Sequence, residues 1–152
     1  MSAASPRILL LQGPNLEALG EREPEFYGTT TRAQLDAMLR AHARARAYRL
    51  SIRYEAQEAR AISLVRDAVR AGYDGLVMNP AGFLYSGHAL RDCLHALPWP
   101  FVEVHISNLE RRGIRSLFLP LAHGVVFGFG MDSYIIGLDA MLGLLGVPVA
   151  SA

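Results

Sequence analysis

Five short apolar runs punctuate the chain, at Arg7-Leu11, Leu50-Tyr54, Gly75-Met78, Phe101-His105 and Gly124-Phe127, and segments of helical period separate them. Runs of that length bounded by turn residues predict buried strands, and their alternation with helices is the pattern of stacked βαβ units. The pattern therefore predicts a five-stranded parallel sheet. Between the first two strands, Leu35, Met38, Leu39 and His42 fall on one face of a helix that Thr31 and Gln34 open with the spacing of a capping box. Ile62, Val65 and Val69 mark the apolar face of a second helix, which Gly72 stops. A third is expected to begin near Ser86 and to carry Leu90, Cys93, Leu94 and Leu97 ahead of Pro98, and a last one to run from about Ser133 to Leu145.

In open parallel sheets, ligands bind beyond the carboxyl ends of the strands, where the strand order changes direction. Three loops qualify: Gly13-Pro14-Asn15 after the first strand, Asn79-Pro80 after the third and His105-Ile106-Ser107 after the fourth. Their polar groups are expected to converge on one crevice. The segment from Gly13 to Gly28 also brings Arg22 and Tyr27, in a loop able to close over a ligand. A tyrosine acting as base needs a cation beside it to favour the phenolate, and Arg22 can supply that charge. The same spacing fits a tyrosine packed against the fold with an exposed arginine nearby.

Strand alternation places Glu103 on the same face as His105, where a carboxylate fixes the tautomer of an imidazole and supports it as a proton donor. A histidine merely satisfied at a strand end fits equally. Asn15 and Asn79 suit ligand hydroxyls or a water, or the capping of backbone N–H groups. The segment after Ser107 is read as the start of a helical turn, whose free N–H groups, with Ile106 and the Ser107 hydroxyl, suit a carboxylate. The crevice thus fits an anionic small molecule better than a neutral one.

At 152 residues and 51% hydrophobic content, the chain is expected to form one domain over 1–152. A net charge of +1 on scattered residues offers no basic stripe for nucleic acid. No run reaches the roughly 18 apolar residues of a membrane helix, and the MSAASPR start lacks a signal-peptide core, so no membrane partner and a cytoplasmic location are expected. All fifteen basic residues are arginine, which rules out a lysine Schiff base and a Walker lysine. Cys93 reads as a small buried hydrophobe. His42, His88, His95 and His123 show no metal-ligand spacing, and Gly128-Phe129-Gly130 reads as a tight-packing turn before the last helix.

Taken in order, GPNL, REPEFYG, NPAG with ALRD, EVHISN and the GVVFGFG run before a helix containing Tyr134 resemble the type II dehydroquinases. These are the 3-dehydroquinate dehydratases of the shikimate and quinate pathways, and the resemblance spans nearly the whole chain. It implies a flavodoxin-like three-layer sandwich with a five-stranded parallel sheet of order 2-1-3-4-5. It also implies no metal or organic cofactor, a cyclic hydroxy-keto acid as small-molecule partner, and a homo-oligomer built from trimers, usually a dodecamer. Carried over by position, Tyr27 is the base that removes a C2 proton and Arg22 the cation that assists it. Asn15 holds the water that stabilises the enolate, and His105, oriented by Glu103, protonates the departing C1 hydroxyl. Asn79 contacts a substrate hydroxyl, Ile106 and Ser107 take the carboxylate, and Arg115, with Arg112 as rival, contacts the ring hydroxyls. Asp92 of the LRD element serves a neighbouring subunit's site.

The chain also departs from the family. Tyr85 stands where a histidine binds a ring hydroxyl, Leu109 to Ser116 is shorter, Gln12 replaces an asparagine, and the segment from Tyr54 to Ala59 clearly retains only Glu58. Two alternatives therefore accompany the dehydratase reading. One is a divergent paralogue that dehydrates another cyclic hydroxy-keto acid; the other is a noncatalytic cyclic-acid-binding protein, against which the retention of both Tyr27 and His105 argues.

Overall fold

A computed structural model gives the fold of residues 4–148; the ends of the expected 1–152 domain, 1–3 and 149–152, lie outside the described residues. Five strands, β1 (Arg7–Gln12), β2 (Arg49–Tyr54), β3 (Gly75–Asn79), β4 (Phe101–His105) and β5 (Gly124–Phe127), form one sheet in the order β2-β1-β3-β4-β5. Every neighbouring pair is parallel. This is the expected flavodoxin-like arrangement, and it puts the change of direction between β1 and β3.

Period-two alternation in β1 sends Ile8 and Leu10 to one side and Leu9 and Leu11 to the other, because a sheet covered on both faces buries every position. Two helices, α2 (Arg32–Ala45) and α6 (Asp132–Leu144), cover the first face through Leu35, Leu39, Tyr134 and Leu138. The second face is covered by α3 (Glu58–Arg70) and α5 (His88–Leu94) through Ala61, Val65, Leu90 and Leu94. The capping box at Thr31 forms in full, with Gln34 returning its side-chain oxygen to the Thr31 N–H at 2.9 Å. His42 does lie on the inner side of α2, but as a polar link. Its Nδ1 meets the Tyr48 hydroxyl at 2.8 Å and its Nε2 meets Asp139 of α6 at 2.9 Å, and Arg46 also pairs with Asp139.

Two local expectations need correction and a third needs refining. The buried stripe of α3 is Ala61, Val65 and Ala68, while Val69 is 37% exposed, because the alanines let the helix lie close to the sheet and turn the larger valine outward. The third helix is split: a one-turn helix α4 (Phe83–Ser86) precedes α5, and Gly87, with ψ 48°, leaves helical geometry between them. The same chain then tightens into i to i−3 bonds at His95, Ala96 and Leu97, since Pro98 disfavours helical geometry in the residue before it. Finally, Gly128 and Gly130 are needed for left-handed turns (φ 95° and 61°); Gly128 also packs tightly, 3.2 Å from Asn108 Cβ for an added Cβ, while the closer approach falls at Gly137, where a Cβ would lie 2.4 Å from Val104 Cγ1. Cys93 is half-buried against the second apolar cluster.

Candidate active site

The carboxyl ends of β1, β3 and β4 meet as the strand-order rule requires. Gly13 N–H donates to the Asn79 carbonyl at 2.9 Å, and a Cβ at Gly13 would lie 2.1 Å from the Pro80 oxygen, so only glycine lets the two strand ends touch here. A cavity of about 350 Å³ opens above this junction, lined among others by Asn15, Arg22, Tyr27, Asn79, Tyr85, His105, Ile106 and Ser107. Residues from three separate stretches of sequence thus reach one concave site of small-molecule size.

His105 is 5% exposed and Glu103 wholly buried, and His105 Nε2 lies 2.5 Å from Glu103 Oε1. The i, i+2 spacing on β4 produces this pair directly, with both side chains on one face of the strand. The carboxylate occupies Nε2, which leaves Nδ1 as the ring nitrogen available to a ligand. Glu103 itself does not line the cavity, and its second oxygen has no partner among the described residues.

On the opposite face of the sheet, Asn79 is 4% exposed. Its Oδ1 accepts the Ala81 N–H at 3.1 Å, and its Nδ2 donates to the Tyr134 hydroxyl at 2.8 Å. Capping and ligand-facing readings of Asn79 are therefore compatible. Asn15 makes no capping bond with its side chain; it adopts φ 71° at the start of a 3₁₀ turn (Leu16–Ala18) and leaves its amide exposed at the cavity. Asn15, Glu23 and Ala81 hold positive φ without being glycine, and all three line the cavity, which matches the tendency of backbone strain to gather at functional sites.

The outer wall is the segment from Arg22 to Gly28, with a one-turn helix α1 (Pro24–Tyr27) begun by proline at its first position. Arg22 lies 5.6 Å from the centre of the Tyr27 ring, within range of its π-face. A second guanidinium comes closer to the hydroxyl. Arg112 Nη1 donates to Ser107 Oγ at 2.9 Å and reaches the Tyr27 oxygen at 3.5 Å, while its Cζ stacks 4.3 Å over the Phe26 ring. The turn that brings it there is closed by Arg112 N–H to the Leu109 carbonyl and capped by the Asn108 side chain on the Arg111 N–H. The expected helical turn after Ser107 thus forms as a hydrogen-bonded turn over 109–113, and no longer helix follows it.

Arg115 and Asp92 stand elsewhere. Arg115 is exposed and lines a neighbouring cavity with His88, Arg91 and Ser116, so within one chain Arg112, and not Arg115, joins Arg22 in lining the site. Arg112, five residues past Ser107, folds back onto it. Asp92 is exposed on α5 and does not line the cavity. Sequence reasoning missed the contact of Arg112 with Tyr27, which links positions 85 residues apart and has no local signal. It also missed the buried partners of Asn79.

Comparison with known proteins agrees with this arrangement. The family model described as dehydroquinase class II matches residues 6–142. A 3-dehydroquinate dehydratase of Cellvibrio japonicus is 41% identical over 145 residues, covering 93% of this chain and 98% of that protein. One from Gloeobacter violaceus is 43% identical over 142 residues, covering 91% and 88%. The crystal structure of type II dehydroquinase from Propionibacterium acnes superposes with a TM-score of 0.86 at 34% identity, covering 93% of this chain and 99% of that one. With its sheet order, its strand-end cavity and these relatives in agreement, the chain belongs to the class II dehydroquinase family.

Proposed function

We propose that this protein is a 3-dehydroquinate dehydratase, a hydro-lyase that removes water from 3-dehydroquinate by anti elimination through an enolate to give 3-dehydroshikimate. The observation that carries the reading is that Tyr27 and His105, a base and an acid by type, line one cavity with their partners in place: Arg112 and Arg22 at Tyr27, Glu103 at His105. Tyr27 as phenolate takes the C2 proton, with the two guanidiniums supplying the positive charge such a base requires beside it. The electron pair moves onto the ketone oxygen, and Asn15 holds the water that bonds the enolate. As the enolate collapses, the C1 hydroxyl leaves with a proton from His105, so the products are the enone and water. Glu103 stabilises the charged imidazole that makes this donation.

In this reading Asn79 and Tyr85 contact ring hydroxyls, Ile106 and Ser107 the carboxylate, and Arg112, in the place expected of Arg115, a ring hydroxyl or the carboxylate edge. Residues 1–152 act as one domain without metal or organic cofactor, in the cytoplasm and apart from nucleic acid and membranes; no helix among the described residues is long and apolar enough to cross a membrane. The assembly is a homo-oligomer of trimers, a dodecamer, in which Asp92 serves a neighbouring chain's site. Exposed Val125, Phe129, Ile136 and Leu144 support burial between copies. A second reading, dehydration of a different cyclic hydroxy-keto acid, draws on Tyr85, which is 65% exposed at the cavity and bulkier than a histidine.

The test is the rise in ultraviolet absorbance of the conjugated enone when purified protein meets 3-dehydroquinate. Turnover is expected, and Tyr27→Phe should lower kcat by roughly 10²- to 10⁴-fold with a small change in KM, because the base acts in the transition state. No turnover by the folded wild type would shift the assignment to the second reading.

A further inference from the structure

Asn79 ends a chain of three buried polar side chains whose hydrogen bonds run in one direction. Ala81 N–H can only donate, so it fixes Asn79 Oδ1 on its own side, and Asn79 Nδ2 must then face the Tyr134 hydroxyl at 2.8 Å. Having accepted from Nδ2, that hydroxyl sends its own hydrogen to Gln12 Oε1 at 2.9 Å. Burial pushes the Tyr134 hydroxyl pKa well above the usual tyrosine range, which favours the protonated, donating form. Gln12 and Tyr134 are both wholly buried, and neither lines the cavity. Gln12 Nε2 has no partner among the described residues, so the bond from Tyr134 is the one that its buried amide makes there. An asparagine amide has two N–H groups. Tyr134 takes one and sets the direction of the other, which is left to the cavity that Asn79 lines.

We infer that Tyr134 and Gln12 are positioning residues for substrate recognition, completing with the Ala81 N–H the grip that holds the Asn79 amide in the one orientation that offers an N–H to a hydroxyl of the bound ligand. This rests on the dehydratase reading for the identity of that ligand, but the positioning itself does not. The three residues come from β1, β3 and α6, so the last helix contributes to the site without touching it. Tyr134→Phe removes a single oxygen and keeps the buried ring, and Gln12→Met removes the acceptor while keeping the side-chain length.

The experiment is steady-state kinetics with 3-dehydroquinate on wild type, Tyr134→Phe, Gln12→Met, Asn79→Ala and the Tyr134→Phe/Asn79→Ala pair, beside crystal structures of the first two. Tyr134→Phe should raise KM roughly tenfold, the scale of one oriented hydrogen bond, with kcat changed less than about twofold, and Gln12→Met should raise KM about threefold. In the pair, Tyr134→Phe should add nothing to Asn79→Ala, since groups acting through one another are not additive. An unchanged KM in Tyr134→Phe, or full additivity in the pair, overturns the inference. In the crystal structure of Tyr134→Phe the Asn79 amide should leave its wild-type orientation while β3 and α6 stay in place; an Asn79 that has not moved overturns the inference as well. Should wild type fail to turn over 3-dehydroquinate, the dehydratase reading falls, and the Asn79 orientation in the variant crystal still decides the positioning role.

Discussion

Asn79 and His105 stand on the sheet-edge wall of the cavity, and each is bonded to a side chain that is itself fully buried, Tyr134 and Glu103. Arg22 and Tyr27 stand on the facing wall, a loop and a one-turn helix in which no residue is buried. The first wall draws its precision from parallel strands whose every position is covered by helices on both faces, so a polar group there either has a partner or pays the cost of burial. The second wall has no buried residue; Tyr27 packs against the edge of the first core cluster, and the polar tie to the rest of the site is Arg112, reaching from Ser107 to Tyr27 and stacking on Phe26. Segments with few buried contacts open most readily. The division suits an enzyme that must admit a ring through one side and deliver a proton accurately from the other.

Among the residues that support Tyr27 and His105 without exchanging a proton with substrate, those of the rigid wall should cost most to break. Glu103→Gln leaves the shape of the pair but removes the charge at His105 Nε2, and kcat is expected to fall between roughly tenfold and a hundredfold, with KM nearly unchanged. A KM effect of that size with kcat preserved would mean that His105 binds and does not donate. On the loop wall, Arg112→Ala should lower kcat/KM about tenfold, the scale of one charged hydrogen bond. It should also speed tryptic cleavage after Arg22 by a similar factor, because the loop loses its tie. Unchanged cleavage would show that the loop is held by something else. Arg115→Ala, at an exposed position facing the neighbouring cavity, should alter the kinetics less than about twofold. A loss matching that of Arg112→Ala would reveal a role for Arg115 across a subunit boundary.

Much of the rigid wall could be read from the sequence. Glu103 and His105 are two apart on a strand, and period-two geometry alone brings them together. The capping box at Thr31 and the meeting of loops 13–15, 79–80 and 105–107 were legible for the same reason, since each follows from local spacing or a general rule of parallel sheets, whereas the strand order came only from the resemblance of the motifs to the family. The loop wall was legible only as composition. Arg22 was identified as the cation for Tyr27, whereas Arg112 reaches the hydroxyl, and no pattern joins residues 85 positions apart. The face of α3 was misjudged at Val69 for a related reason, since periodicity locates a stripe to within one residue and packing against the sheet decides which edge of it is buried.

By itself the sequence determined the strands, the helices and which side chains share a face, because these depend on interactions between residues a few positions apart. Tertiary structure decided which partners complete each functional group: Arg112 rather than Arg115 in the cavity, Tyr134 and Gln12 behind Asn79, His42 joined to Asp139 across two helices. Those contacts join distant segments only after the sheet has closed and the helices have docked, and their strength depends on a burial that no local stretch of the chain encodes.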